Sequence, residues 1–223
     1  RPWDGQEAFA FGSTGLPYVG DVDHFNEPAG IGVAADGAVT IVERGGHRVL
    51  HRAADGSTTW TFGSPGLAGS DATHLDHPAD AAVDGQGRAW VVDSGNDRLV
   101  VLRPDGTVER TVGRTGTADG ELDCPQGIAV TSNGRAWVAD TCNRRVQRFG
   151  SDGAHQTTLT WAFERPADVA LDATGTLFVA DAGRQPGIAL ATIDLAAPRV
   201  ATQFTRPGDW VWQVDMLNDR RPD

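Results

Sequence analysis

Three aspartates recur at one position of a repeating pattern and could bind a cation together. Asp80, Asp168 and Asp209 each stand two residues after a proline. Carboxylates that converge on one point repel each other unless a cation, a basic ligand or a raised pKa relieves them. Such oxygens suit Ca²⁺, and Zn²⁺ is the other metal to consider. An alternative stays open, in which each aspartate accepts hydrogen bonds from backbone amides of a neighbouring loop.

Three further residues lie where a ligand held by the aspartates could touch them. Gln126 directly follows a proline, and Trp210 and Trp212 alternate beside Asp209. Aromatic rings next to a carboxylate can form the wall of a ligand site or simply fill a core. We therefore count Gln126, Trp210 and Trp212, with the three aspartates, as candidate ligand-binding residues.

The chain has two cysteines, Cys124 and Cys142, eighteen residues apart. In a meander of four strands, the loop before the first strand and the turn between the second and third lie at the same end of the sheet. The two Cα atoms could then fall within the ~4.4–6.8 Å that a disulfide needs, although two separate thiols remain the alternative. A disulfide predicts an oxidising compartment, hence a secreted or periplasmic protein.

The histidines give a weaker signal for metal binding. His24 and His74 each precede a repeat proline by four residues, and His77 stands beside Asp76. Imidazole and carboxylate groups can ligate a metal, but the spacing here is irregular from unit to unit. We interpret these residues as part of solvated loops.

A repeat of about 45 residues positions all of these groups. Each unit has a proline, a glycine nine residues later and an acid six residues after that. In three units an arginine follows the acid after five more residues, and we expect an ion pair between them. The prolines are Pro28, Pro78, Pro125 and Pro166, the acids are Glu43, Asp93, Asp140 and Asp181, and the arginines are Arg48, Arg98 and Arg145.

Between these markers lie short apolar segments separated by tight turns such as Asp36–Gly37 and Asp105–Gly106. Glycine at such turns supplies a positive φ. Each unit therefore predicts four antiparallel strands. Because one such sheet cannot bury both faces, the units must stack radially, which makes an all-β fold, a β-propeller of four-stranded antiparallel blades. We expect a five- or six-bladed ring that this chain need not complete.

We predict a single propeller domain over residues 1–223. Residues 1–23 would hold the outer strand of a partial blade and the loop after it. Four blades would follow, and a further blade would begin at 206–223. The predicted blades are 24–73, 74–121, 122–162 and 163–205.

Composition excludes several partners. Of the 223 residues, 19 are Lys or Arg and 30 are Asp or Glu, which gives a net charge of −11. Such a charge disfavours sequence-independent binding to nucleic acid and docking on anionic lipid. No run of 18 apolar residues predicts a membrane span. The sequence opens on Arg1 without an apolar segment, so we expect any targeting segment to lie outside it.

The units resemble NHL repeats. The clearest copy reads Leu-Asp-Cys-Pro-Gln-Gly-Ile-Ala-Val at 122–130 and continues over 136–146. This family includes protein-binding and RNA-binding propellers, extracellular scaffolds and a zinc enzyme, the peptidyl-hydroxyglycine amidating lyase. That lyase has a similar cysteine pair, but its zinc histidines directly follow the repeat prolines. Here those positions hold Ala29, Ala79, Gln126, Ala167 and Gly208.

Three functions are to be weighed. The first is a scaffold that binds a protein, peptide or small-molecule ligand through its loop face and acidic channel mouth. The second is a metal-dependent enzyme at the same mouth, either a lactonase-type hydrolase or an amidating-lyase-type lyase. RNA binding ranks last because of the acidic charge.

Overall fold

A computed structural model describes residues 22–160 and 163–183 with their side chains. It adds the backbone of strands at 13–14, 189–194, 199–204 and 214–215. Within these ranges the regular structure is β-strand, apart from one turn of 3₁₀ helix at Ser94–Asn96. The predicted all-β fold is confirmed.

The described strands, β1 to β19 in chain order, form four large sheets and one parallel pair. The pair is β1 (Ser13–Thr14) with β2 (His24–Phe25). The first sheet is β3 (Pro28–Val33), β4 (Val39–Glu43), β5 (Arg48–Arg52) and β6 (Thr58–Gly63). The second is β7 (Asp80–Val83), β8 (Ala89–Asp93), β9 (Arg98–Leu102) and β10 (Val108–Val112). The third is β11 (Pro125–Val130), β12 (Ala136–Asp140), β13 (Arg145–Phe149) and β14 (His155–Leu159). The fourth is β15 (Pro166–Leu171), β16 (Thr176–Asp181), β17 (Ala189–Asp194), β18 (Arg199–Phe204) and β19 (Val214–Asp215).

Each large sheet is an antiparallel meander in which the strands lie in chain order. The fourth sheet differs from the predicted pattern because β19 pairs with β18 as a fifth strand. The sequence predicts the first strand of a further blade in this region. An outer strand with unpaired backbone groups accepts any neighbouring segment that can complete its hydrogen bonds, and β19 occupies that edge. Strands β3 to β18 lie within the four predicted blade ranges and β19 lies outside them, and the exact boundaries of the blades stay a prediction.

Turn residues fix the meander locally. At the turn between β9 and β10, Gly106 has a φ of +83°, which a side chain would disfavour. Asp105 closes the same turn by accepting a hydrogen bond from the Thr107 amide at 2.9 Å. Each strand therefore reverses after a few residues, as the repeat predicts.

The hydrophobic core lies between consecutive sheets rather than within one of them. Three clusters of buried side chains each combine residues from two neighbouring blades, and Trp90 and Trp137 are their largest fully buried members. Since each sheet covers the face of the next, stacking supplies the burial that one sheet cannot provide. A cluster around Val42 and Val91 joins the first blade to the second. A cluster around Val92 and Val138 joins the second blade to the third. A cluster around Ala139 and Val179 joins the third blade to the fourth.

The repeated acid and arginine form the expected ion pairs. In the second blade, Arg98 Nε donates to Asp93 Oδ2 at 2.7 Å. Asp93 is fully buried and also accepts the backbone amide of Asp76 at 2.7 Å. The remaining guanidinium nitrogens donate to carbonyls of residues 70, 71 and 74. The pair therefore ties the loop before a blade to the turn between its second and third strands. The matching pairs are Glu43 with Arg48 and Asp140 with Arg145.

The described part of the chain contains no helix that is long and apolar enough to cross a membrane.

Candidate ligand site at the channel mouth

The first strands of successive blades lie side by side and line a channel. β3, β7, β11 and β15 contact one another in that order. Together they line an open cavity of about 750 Å³, which lies within the usual size of small-molecule sites. Its walls are mostly aliphatic, and two of the large apolar side chains in it, Ile31 and Val33, are more than half exposed. The channel can therefore take an apolar group.

A second cavity of about 260 Å³ lies where these strands begin, and we call it the channel mouth. Its polar side chains are Arg44, Asp80, Gln126 and Asp168, set among small residues such as Ala79. Asp80 and Asp168 line both the mouth and the channel. The structure thus brings together two of the three predicted aspartates and the predicted glutamine.

Asp80 connects two blades through its carboxyl group. Its Oδ1 accepts the amide of Ala81 at 2.8 Å, and its Oδ2 accepts the amide of Ile128, in the next blade, at 3.0 Å. The alternative of a structural aspartate that binds backbone amides is therefore met at this position. The pKa of Asp80 is raised to about 7, mainly by burial and to a smaller extent by the charge of Asp168, while the two amides oppose the rise. The group can change its protonation state near neutral pH.

Asp168 is the more accessible carboxylate. Its side chain is exposed, and Oδ1 accepts the amide of Val169 at 2.8 Å. Glycine makes room for it: a Cβ on Gly127 would lie 2.4 Å from Asp168 Oδ1. Gly30 stands in the same relation to Asp80, at 2.5 Å. Each aspartate thus packs against a glycine of the preceding blade.

Arg44 is a mouth residue that the sequence alone does not indicate. It is half-buried, and among the described residues its guanidinium group has no ion-pair partner. It follows the buried acid Glu43, and the equivalent positions hold Ser94, Thr141 and Ala182. Because the repeat places no constant residue there, only the fold reveals that this cation faces the mouth.

Gln126 is held in place from the neighbouring blade. Its Nε2 donates to Ser94 Oγ at 2.9 Å and to the carbonyl oxygen of Cys124 at 3.4 Å. Asp209, Trp210 and Trp212 lie outside the described residues, so their part in the site stays a prediction.

The fit of a metal to the mouth differs between the two aspartates. Each carboxyl oxygen of Asp80 already accepts a hydrogen bond from a backbone amide. Because its pKa is also raised, Asp80 would be a weak metal ligand. Asp168 keeps one oxygen free of hydrogen bonds from the described residues. The pair could contribute to a Ca²⁺ site only together with further oxygen ligands, since Ca²⁺ takes six to eight.

Cys124 and Cys142 form the predicted disulfide, with a Cα–Cα distance of 5.5 Å. It joins the loop before β11 to the turn after β12. Cys124 also donates its backbone amide to Asp97 Oδ1, in the preceding blade, at 2.8 Å. Cys124 therefore takes part both in the disulfide within its own blade and in the hydrogen bond to the preceding blade.

Comparison with known proteins agrees with this architecture. The sequence pattern of the NHL repeat matches residues 122–149, but no curated protein matches the chain. A solved streptogramin B lyase structure aligns with a TM-score of 0.63 at 16% identity, over 94% of this chain and 73% of that one. Virginiamycin B lyase from Staphylococcus aureus aligns with a TM-score of 0.59 at 17% identity, over 85% and 64%. Hydrazine synthase of Kuenenia stuttgartiensis aligns with a TM-score of 0.65 at 18% identity, over 94% of this chain and 53% of that one.

This chain thus spans between about half and three quarters of the length of these structures. Likeness at such low identity establishes a shared fold, whereas activity resides in particular sites. The neighbours are β-propeller proteins, and the four meanders described above stack as blades do. The chain therefore carries an NHL repeat and has the β-propeller fold.

Proposed function

We propose that this protein is a secreted or periplasmic NHL-type β-propeller that binds a ligand at its channel mouth and loop face. One observation carries the proposal: Asp80 and Asp168 line both the polar mouth and the apolar channel below it. Sites for small ligands combine an apolar cavity with a few convergent polar groups in this way.

The polar groups define the chemistry of the ligand. Exposed Asp168 suits an ammonium, a guanidinium or another hydrogen-bond donor. Arg44 offers a cation to a carboxylate or carbonyl of the same ligand. The aliphatic channel takes an apolar group next to them. A peptide or protein loop with a basic and an apolar residue fits this combination, as does a small amphipathic molecule.

The proposed location is supported by the disulfide between Cys124 and Cys142. Disulfides persist in oxidising compartments and are rare in the cytosol. The acidic charge of −11 makes nucleic acid an unsuitable partner.

The experiment selects peptides from a phage-displayed random library on immobilised protein and measures the affinity of enriched peptides by calorimetry. We expect enriched peptides to pair Lys or Arg with an apolar residue. The double variant Asp80→Asn/Asp168→Asn should bind them at least about tenfold more weakly, since a hydrogen bond to a charged group contributes roughly 1.5–3 kcal/mol.

A matched control removes the same charge elsewhere. Asp105 and Asp152 lie in turns between third and fourth strands, at the opposite end of the sheets from the mouth. The variant Asp105→Asn/Asp152→Asn should bind the peptides as the native protein does. Equal affinity of the mouth variant and the native protein would rule out this site.

A metal-dependent enzyme at the same mouth is the second candidate. The pKa of about 7 at Asp80 favours it, because a carboxyl group that titrates near neutrality can transfer protons. Ca²⁺ and Zn²⁺ are the metals to test, by thermal shift and by a screen of lactones and peptidyl-hydroxyglycines. Turnover that Asp168→Asn abolishes would favour the enzyme over the scaffold.

A further inference from the structure

We propose that His47, Asp76 and His77 form a Zn²⁺ site that joins the first blade to the second. His47 lies in the turn between β4 and β5 of the first blade, and the other two lie in the loop before β7 of the second. One ligand atom from each lies within 4.8 Å of those from the other two. Two imidazoles and one carboxylate are a common protein ligand set for zinc.

The distances fit an ion that replaces protons. His47 Nδ1 lies 3.5 Å from Asp76 Oδ1, and His77 Nδ1 lies 2.5 Å from the same oxygen. A tetrahedral zinc with bonds of 2.0–2.1 Å holds its ligands about 3.4 Å apart. The first distance already has this value. The second is a hydrogen bond that would open by about 1 Å when the metal takes the place of the proton.

The surroundings hold these side chains in position. The backbone amide of Asp76 is bound by the buried carboxylate of Asp93 at 2.7 Å. Gly95 leaves the space that the Asp76 carboxylate fills, since a Cβ there would lie 2.6 Å from Asp76 Cγ. The rings of His47 and His77 meet edge to face with centroids 4.5 Å apart. These contacts fix the Asp76 carboxylate and keep both rings beside it.

The cluster also differs from its equivalent at the next seam. His47 Nδ1 accepts the backbone amide of His77 at 3.1 Å, and Asp97 Oδ1 accepts that of Cys124 at 2.8 Å. One hydrogen bond between blades thus recurs with different residues. An aspartate is enough to make it, so the fold alone does not require two imidazoles at the first seam. A metal ion would give both imidazoles a role and would replace this hydrogen bond with a coordination bond.

The site has room for a fourth ligand. The side chain of His77 is 53% exposed and that of Asp76 is 30% exposed, while His47 is 11% exposed. Three protein ligands with one side open to solvent leave a position for water. The seam lies on the loop face but does not use the mouth residues, so this zinc site is independent of the proposed ligand site.

The test is calorimetric titration of the full chain with ZnCl₂ after chelation and dialysis, with thermal unfolding alongside. The native protein should bind one Zn²⁺ and unfold at a higher temperature when zinc is present. His77→Asn should bind zinc at least about tenfold more weakly. This variant keeps the backbone amide, and asparagine tolerates the φ of +44° at this position.

The matched control is His74→Asn. His74 lies in the same loop and its Nδ1 contacts Asp71 Oδ1 at 2.8 Å, but the described residues offer this pair no third ligand. This control and the mouth variant Asp80→Asn/Asp168→Asn should both keep native zinc binding. The proposal is wrong if the native protein binds no zinc, if His77→Asn binds it unchanged, or if the mouth variant loses it. The last result would place the metal in the channel.

Discussion

Asp80 serves two roles that require different charge states. As a bridge between blades, its carboxylate accepts amides of Ala81 and Ile128. As part of a ligand site, it competes with Asp168, whose charge disfavours a second anion nearby. A neutral Asp80 beside an ionised Asp168 relieves the repulsion between the two carboxylates, and a cationic ligand would favour the ionised form of Asp80. Ligand binding at the mouth should therefore depend on pH near neutrality.

This raised pKa predicts how stability varies with pH. The folded pKa of about 7 exceeds the unfolded value of 3.8, so the folded protein holds a proton that the unfolded chain has lost. The contribution of Asp80 to stability is full below about pH 4 and is lost as the pH rises to about 7. Asp80→Asn removes this loss. In urea unfolding, the free energy of unfolding of the variant minus that of the native protein should rise by about 1–2 kcal/mol from pH 5 to pH 8. This value is reduced because the channel is open to solvent.

Asp105→Asn is the control for this titration. Hydrogen bonds from Thr107 lower the pKa of exposed Asp105, so its contribution changes only at acidic pH. Its difference from the native protein should stay constant from pH 5 to pH 8. A difference for Asp80→Asn that is equally flat would show that Asp80 keeps its charge in the fold.

The repeat predicts where a mouth residue lies but not what it touches. Asp80 and Asp168 follow from the spacing after the prolines, since the first strands of all blades begin at the same end. The bond from Ile128 to Asp80 joins residues 48 positions apart and depends on the packing of two blades. Arg44 is not predicted because the residue type at its position differs from one unit to the next. Repetition therefore reveals structural positions more readily than functional exceptions.

At the scale of the elements, the ion pairs fasten each loop to its blade. Asp93 is fully buried, and burial raises its pKa against the opposing bonds from Asp76, Asn96 and Arg98. Arg98 satisfies both this carboxylate and three backbone carbonyls of the preceding loop. Removal of the arginine takes its donors from the three carbonyls and leaves the buried Asp93 carboxylate with only the donors at Asp76 and Asn96.

Arg98→Met should therefore destabilise the protein by about 3 kcal/mol, as expected when one partner of a buried pair is lost. Arg114→Met is the matched control. Arg114 pairs with Glu121 at 2.9 Å, but its side chain is 81% exposed, so this change should cost less than about 1 kcal/mol. Urea unfolding measures both. Similar losses would mean that the buried pairs contribute no more than surface ones.

The seams between first strands depend on glycine. A Cβ on Gly127 would lie 2.4 Å from Asp168 Oδ1 and 2.6 Å from its Cα, so Gly127→Ala should force β11 and β15 apart. We expect a loss of about 1–3 kcal/mol by thermal or urea unfolding. Gly175→Ala controls for the substitution itself, since nothing lies within 4 Å of its Cβ and only the φ of +87° opposes it. Its cost should be about 1 kcal/mol. A smaller loss for Gly127→Ala than for Gly175→Ala would show that the seam is loose.

At the scale of the molecule, the sequence predicts the blades well and their ends less well. Strand positions follow from the recurring Gly turns, and stacking follows from the apolar faces. The β19 pairing does not follow, because an edge strand selects its partner by available hydrogen bonds rather than by repeat position. How the ring closes depends on contacts between distant parts of the chain, which a local repeat does not encode.

The disulfide links the stability of the propeller to its environment. Cys124 and Cys142 close a loop with a sequence separation of 18, which should stabilise the fold by about 3 kcal/mol. In urea unfolding, reduction of the native protein and the variant Cys124→Ser/Cys142→Ser should therefore cause similar losses, and the variant should not respond to reductant. Cys124 retains its amide bond to Asp97 in both cases, so the blade contact persists and the loss reports the covalent link. If reduction changed the free energy of unfolding by less than about 0.5 kcal/mol, the propeller would be equally stable in a reducing compartment, and the case for secretion would lose its support.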